Sequence, residues 1–336
     1  MLSEKDICIV IPTYKRAEDV DHSLKVLYEL KKKESVAGKI ILVDQTKTPE
    51  TKDVVKKWSK KLPVQYIFSN IPSSSIAENI GVREAKKRFP LILIVGDDVD
   101  FLSGYFKEMV KVFEDPKVMG VAGVDKEAGA ARHTTKSLLA SLFLRIFYLP
   151  FNEDHKFRVR GPYGTTASPI VTHDVKDAQW IPGFNNCFRK EVYEEYSFPE
   201  IKGYNVLEDV DCSYKVYKKN GVGSLVITPK CKVWHRESKA ARYPERKRIF
   251  VNHEDHFAFY YRNFYTFTGT VKLVWAHVGI AIGNFLRFLG NPSKESFVNF
   301  GNNVDAIIFC YKNKKNIKEG NFRVFLNDDL SMKNFK

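Results

Sequence analysis

Along the first hundred residues, short apolar runs alternate with stretches in which apolar residues recur every three or four positions. The runs ICIVIPTY (7–14), KIILVDQT (39–46), VQYIFSN (64–70) and LILIVGDD (91–98) are continuous, β-branched and bounded by polar residues. All four read as strands, the first two as buried ones. Between the first two, Val20, Leu24, Leu27 and Leu30 keep helical spacing across 18–33. Pro49 opens a second helical stretch toward Trp58. Ser73, Ser74 and Ser75 offer N-caps for a third, carrying Ile76, Ile80, Ala85 and Phe89. The repetition predicts right-handed crossovers and a mainly parallel sheet. Ligands of such sheets sit at the carboxyl ends of the strands, where this chain has Thr13, Asp44 and Asp97/Asp98.

The pattern then loosens. VMGVAGV (118–124) predicts another strand. Residues 126–180 are mixed, including LLASLFLRIFYLPF (138–151) and RGPYGTTASP, and a connection that long reads as a lid or binding loop. WIPGFNNCFRKEVY (180–193) leads from a strand into a helix, and LEDVDCSYKVYKKNG (207–221) is a helix stopped by Gly221. SLVITP (224–229) and KVWHR (232–236) read as two short strands. Next come a basic cluster (RYPERKR), an aromatic one (FAFYYRNFYTF) and the apolar VKLVWAHVGIAIGNFLRFL (271–289). On a helical wheel Lys272, His277, Asn284 and Arg287 share one side with Ala276, Gly279 and Gly283, and most large apolar residues lie opposite. An amphipathic helix follows. No uninterrupted run reaches the roughly 18–20 apolar residues expected of a spanning helix. The last 25 or so residues are polar and Lys-rich, a helical cap or a frayed tail, and no internal repeat occurs.

With 336 residues, 44% hydrophobic and 13% aromatic, the chain has material for one large or two ordinary domains, which excludes disordered, collagen-like and disulfide-scaffold classes. Its net charge of +14 asks for an anionic partner. From Arg236 onward there are 17 basic and 9 acidic residues, so the excess concentrates at that end. Five scattered cysteines without a CxxC pair argue against zinc-ribbon and thioredoxin sites and for buried thiols in a reducing compartment. MLSEKDICIVIPTY lacks a signal-peptide pattern, so the expected location is cytoplasmic.

The turn after the first strand is PTYKRAED. Neither GxGxxG nor GxxxxGK[ST] occurs, which leaves dinucleotide and P-loop sites unsupported. GDDVD (96–100) instead puts carboxylates at a buried strand end. Hard oxygen ligands there suit Mg²⁺ or Mn²⁺ beside a nucleotide diphosphate, or else serve as turn and cap acids. LEDVD (207–211) is a second acidic cluster, in which Glu208 and Asp211 would share a helical face while Asp209 points elsewhere. It offers a general base, or simply acids favoured by the helix dipole. His235 is a candidate metal ligand. Arg242, Arg246 and Arg248 are candidate phosphate clamps.

Taken in order, IVIPTYKR, LVDQT, SIAENIGVREA, GDD, WIPGFNNCFRKEVY, LEDVD and KVWHRES resemble the family 2 glycosyltransferases of GT-A fold over residues 5–265. The resemblance implies a GT-A α/β domain over 1–240, with a donor half (1–124) and an acceptor half (125–240). Residues 241–336 would form a helical, membrane-associating region. It implies that Pro12, Thr13, Tyr14, Arg16, Asp44, Asn79, Arg83 and Asp97 surround a nucleotide-sugar donor, and that Asp98 and His235 hold Mn²⁺ or Mg²⁺. Pro182, Gly183, Asn185, Asn186 and Glu208 fall on the acceptor side, with Asp209 as the base. Gly96 stands where the family's metal motif has its first acid.

The activity so implied is a single inverting displacement, moving one sugar from a UDP-, GDP- or dTDP-sugar to a hydroxyl. No QxxRW motif of processive synthases follows the acidic pair. The apolar segments and basic third fit an enzyme on the cytoplasmic face of a membrane, with a lipid-linked (polyprenyl or dolichyl) or other glycan acceptor; otherwise segments 138–151 and 271–289 pack on each other or make a dimer interface. Rival readings are a catalytically silent nucleotide-binding protein of the same fold and a nucleotidyltransferase. A nucleic-acid partner is not expected, because no RNA- or DNA-binding motif accompanies the charge.

Overall fold

Each apolar run of the first hundred residues becomes a strand of one sheet, and each periodic stretch becomes a helix on one of its faces. The computed structural model describes residues 2–127, 138–201, 203–240, 243–321 and 323. The first elements are β1 (Ile7–Thr13), α1 (Ala17–Lys31), β2 (Lys39–Asp44), α2 (Glu50–Trp58), β3 (Val64–Phe68), α3 (Ser74–Ala85) and β4 (Leu91–Val95). Ser73 caps α3, its hydroxyl accepting from the Ile76 N–H. Strands β1–β4 are parallel and ordered β3-β2-β1-β4. Thr13 lies opposite Asp44, which brings two predicted site residues together at the carboxyl edge.

The sheet continues with β5 (Val99–Phe101), β6 (Gly120–Asp125), β9 (Asn185–Arg189) and β10 (Leu225–His235), giving the full order β3-β2-β1-β4-β9-β6-β10-β5. Helix α4 (Tyr105–Val112) links β5 to β6. Between β6 and β9 come α5 (Leu138–Ile146) and the two-residue strands β7 (Phe151–Asn152) and β8 (Thr166–Ala167). Strand β9 runs antiparallel between β4 and β6, while β6 and β10 are parallel. This curled, mainly parallel sheet buries one apolar layer against α1, α2 and α4 and another against α3 and the 175–227 region.

Two details depart from the expectation. The runs 224–229 and 232–236 form one strand, β10, interrupted by a register shift between Ile227 and Lys232. The short β5 has no sequence signal of its own and pairs antiparallel with the end of β10.

After α6 (Val192–Glu195), α7 (Glu208–Asn220) and β10, the chain becomes helical: α8 (Glu245–Asn263), α9 (Phe267–Gly290), α10 (Lys294–Lys312) and α11 (Lys314–Lys318). These helices share a separate core with the 143–163 segment, built around Leu149, Tyr163, Phe257, Leu273 and Cys310. No apolar run is unbroken over a spanning length, yet one helix is long and apolar enough on average. Helix α9 has 24 residues and a mean hydropathy of 1.4 over 18 of them, so it passes on length and composition. Its polar residues are spaced widely enough to leave the average high. All five cysteines are buried and unpaired.

Candidate active site

Strands β1, β2 and β4 end side by side, and their terminal polar residues form the first half of the site. Asp44, fully buried, accepts from the Thr46 N–H (2.8 Å) and the Tyr66 hydroxyl (2.9 Å). Thr13 donates its hydroxyl to Asp97 at 2.7 Å, and Arg16 donates to the other Asp97 oxygen at 2.9 Å. Burial pushes Asp97 up to about 6, against the pull of Arg16 and Thr13. Asp98 goes the opposite way. Burial would raise it, but His235, the Ser238 N–H and Arg16 more than offset this and hold it at about 2. His235 Nε2 lies 3.4 Å from one Asp98 oxygen, and the Ser238 N–H donates to the other at 2.8 Å. Pro12, within β1, pairs with Val43, and half-buried Tyr14 follows, with the Lys15 ammonium 5.1 Å from its ring centre.

The second half forms at the start of α7. Asp209 accepts from the Gly183 N–H and from the Val210 N–H, each at 2.7 Å. Glu78 on α3 and Glu208 are its acidic neighbours. Burial, followed by the Asp209 charge, pushes Glu78 up to about 8 and Glu208 well above the carboxylate range. Burial also raises Asp209, but its backbone donors limit the rise to about 6. Neither Glu78 Oε2 nor Glu208 Oε2 has a hydrogen-bond partner among the described residues. Burial thus opposes charge on all three carboxyls, and two backbone N–H bonds favour the ionised form of Asp209.

Three consecutive steps join the halves. Gly183 holds Asp209, the next residue, Phe184, stacks on His235 (5.1 Å, 9° between planes), and His235 faces Asp98. Gly183 lies close under Asp209: a Cβ there would stand 3.0 Å from the Asp209 side chain, which would have to shift by a few tenths of an ångström.

Other predicted residues lie elsewhere in this frame. Asn79 spends its side chain on Phe198, accepting from its N–H (3.0 Å) and donating to its carbonyl (2.9 Å). Arg83 is exposed, 3.8 Å from Glu200. Asn185 and Asn186 point to opposite faces of β9. The Asn185 Oδ1 accepts from the Gly123 N–H at 2.6 Å, whereas the buried Asn186 Oδ1 has no partner among the described residues. Pro182 precedes Gly183 in the same loop. Asp211 does not share a role with Glu208: it is fully buried and accepts from Arg262 and Asn263 of α8. Arg246 reaches Asn302 and Asp305 on α10. Arg242 lies outside the described residues.

Sequence reasoning missed several contributors. Glu78 falls on the buried Ser75–Glu78–Val82–Ala85 stripe of α3, and an acid on that stripe was the available signal. Arg236 donates to Asp19 and Ser23 and lies 3.4 Å from Asp100. Arg323 inserts among Glu254, Asp255, Tyr204 and Asn205, just before the acidic pair; no local pattern marks it.

A divalent cation fits here only in part. Among the described residues no three His, Cys, Asp or Glu side chains are arranged to hold a metal by themselves. Asp98 and His235 supply one carboxylate and one imidazole, a set that diphosphate oxygens would have to complete. A Cβ at Gly96 would approach Asp98 Oδ1 to 2.9 Å, so an acid there would crowd Asp98.

Residues 8–169 match the family model described as glycosyl transferase family 2. No curated protein matches the chain by sequence. Among solved structures, a mannosyltransferase from Pyrobaculum calidifontis, in complex with GDP-Man and Mn²⁺, superposes with a TM-score of 0.54 at 14% identity. The match covers 98% of this chain and 88% of that one. S. aureus TarS 1–349 with UDP-GlcNAc gives 0.50 at 12% identity, covering 90% and 81%. GalNAc-T7 with UDP, GalNAc and Mn²⁺ gives 0.51 at 13%, covering 76% of this chain and half of that one. The chain has the GT-A fold of glycosyltransferases, and just under half of it, residues 8–169, matches their family 2.

Proposed function

We propose that the protein is an inverting glycosyltransferase that moves one sugar, of hexose type, from a nucleoside-diphosphate sugar to an acceptor hydroxyl. The observation that carries this reading is the Asp209 carboxylate, which accepts two backbone N–H bonds at the start of α7 and is joined to the strand-end site through Gly183, Phe184 and His235. Asp209 accepts the proton of the acceptor hydroxyl as its oxygen bonds to the anomeric carbon. The bond from that carbon to the diphosphate breaks, and the nucleoside diphosphate leaves with the electron pair. One base suffices for such a displacement, and inversion follows from it.

Asp44 and Thr13 orient the nucleoside, with Pro12 and Tyr14 beside them, and Arg16 and Asp97 flank the diphosphate. Mn²⁺ or Mg²⁺ on Asp98 and His235 would neutralise charge on the departing diphosphate. The acceptor hydroxyl approaches past Gly183 and the α7 N-terminus, with Glu208 beside it. We assign the acceptor to the lipid-linked or cell-surface glycans and the working location to the cytoplasmic face of a membrane, on the strength of the basic C-terminal third and its apolar helix.

The test is Asp209→Asn. Transfer from the cognate nucleotide-sugar falls by at least about a thousandfold, within the span of general-base and geometric effects, while donor affinity stays within about threefold. A variant that loses donor binding would make Asp209 a structural residue instead.

A further inference from the structure

Helix α9 is packed the opposite way from a surface helix of a soluble protein. The side it turns inward holds Gly269, Leu273, Ala276, His277 and Gly279. The side it turns outward holds Val271, Trp275, Val278, Ile282, Phe285 and Leu289, every one exposed. Those six recur at intervals of three or four residues, so they form one stripe, and the helix is about 36 Å long at 1.5 Å per residue. The inward packing is close because the residues are small: a Cβ on Gly279 would meet Phe147 at 2.4 Å.

Helix α5 extends the same surface. Its Leu139, Leu142 and Ile146 are exposed, Phe147 beyond it stacks on Trp275 at 4.9 Å, and the Trp275 indole N–H donates to the Ile146 carbonyl at 3.0 Å. A contiguous apolar face on this scale marks a binding surface rather than ordinary exposure.

We infer that the joint face of α9 and α5 docks in the plane of a bilayer containing anionic lipid. Charge selects this occupant. Neither helix contains an acidic residue, Arg287 and Lys294 are exposed at the end of the stripe, and the chain carries +14 overall. A second copy would bring the same positive charge against itself. Spanning is disfavoured by the inward side. Lys272 donates to the Arg160 carbonyl at 3.0 Å, and His277 lies 3.1 Å from the hydroxyls of both Tyr163 and Tyr311, so one face of α9 stays bound to protein. This deepens the proposed function by placing the acceptor in the membrane, but its measurement does not use the reaction.

The experiment is flotation of the full chain with phosphatidylcholine vesicles, with and without phosphatidylglycerol. The variants are a triple, Val278→Asp/Phe285→Asp/Leu289→Asp, and a single Leu289→Glu, which keeps the test open should the triple misfold. Wild type floats with the anionic vesicles, less with phosphatidylcholine alone, and is partly released by salt. The triple variant binds at least tenfold more weakly with an unchanged melting temperature, and the single variant falls between them. Failure of wild type to float, or equal flotation of the variants, overturns the inference. A dimer abolished by the same substitutions, without vesicle binding, assigns the face to a second copy. Release by detergent but not by alkaline carbonate makes α9 a spanning helix. Loss of transfer with vesicle binding intact would count against the glycosyl-transfer reading alone.

Discussion

Replacing Arg323 by alanine tests what ties the 204–205 segment to helix α8. The guanidinium is 1% exposed and reaches Glu254, Asp255 (2.8 Å), the Tyr204 carbonyl (2.8 Å) and Asn205 (3.1 Å). Glu254 is fully buried and Asp255 nearly so. In Arg323→Ala, Glu254 loses the guanidinium and keeps only the backbone N–H of residue 323, and Asp255 keeps the Val206 N–H at 3.0 Å. Removing one side of a buried ion pair costs about 3–5 kcal/mol. At about 2 °C per kcal/mol for a chain of this size, the melting temperature drops by about 6–10 °C near pH 8.

The deficit depends on pH with a definite sign. Burial raises both carboxyls even with Arg323 present, and its removal raises them further. A raised acid contributes stability below its unfolded pKa and loses it as pH rises through the folded one, so the deficit shrinks toward pH 5. Thermal denaturation at several pH values reads this directly. Arg323→Met with Glu254→Gln and Asp255→Asn, which removes the charges together, recovers most of the loss. A single variant melting within about 1 °C of wild type at pH 8 would refute the insertion of Arg323.

Two further outcomes follow from the Asp209 cluster. Asp209 must be ionised to act, and burial raises it to about 6, so kcat/KM climbs about tenfold per pH unit up to pH 6 and levels above it. A flat profile from pH 5 to 8 would remove Asp209 as the base. Gly183→Ala forces a Cβ to within 3.0 Å of Asp209 and displaces its backbone donor, which lowers kcat by about a hundredfold while nucleotide affinity, measured calorimetrically, is unchanged. An unimpaired alanine variant would show that the donor is not what positions the carboxylate.

What the sequence disclosed and what it hid have separable physical causes. Strands β1, β2 and β4 are buried on both faces, so each is an apolar run that stands out from its flanks, and the site residues at their ends come with them, whereas the edge strand β3 is only half-buried. Strand β10 read as two because a bulge at 228–231 puts Thr, Pro and Lys inside it, and β5 is too short to carry a pattern. For α9 the periodicity separated two faces correctly but could not say which one packs. Glycine, alanine and histidine turned out to be inward because small residues let Phe147 approach, and that is a tertiary fact. Asp209 was visible by its place in LEDVD. Glu78, whose carboxyl the Asp209 charge helps to raise, sits on a helix with no motif of its own, and Arg323 reaches its pocket from 69 residues beyond Glu254 with no local signal at all.

The most direct test of the central claim is donor binding at the ends of β1, β2 and β4. Thermal stability is measured against UDP, GDP and dTDP, each with Mn²⁺ and with EDTA. Binding to the native state alone adds about 2.7 kcal/mol at a hundredfold excess over Kd. The account predicts stabilisation by one nucleotide, lost in EDTA and in Asp98→Ala and retained in Asp209→Asn. No stabilisation by any of the three nucleotides, or an equal one in Asp98→Ala, would contradict it.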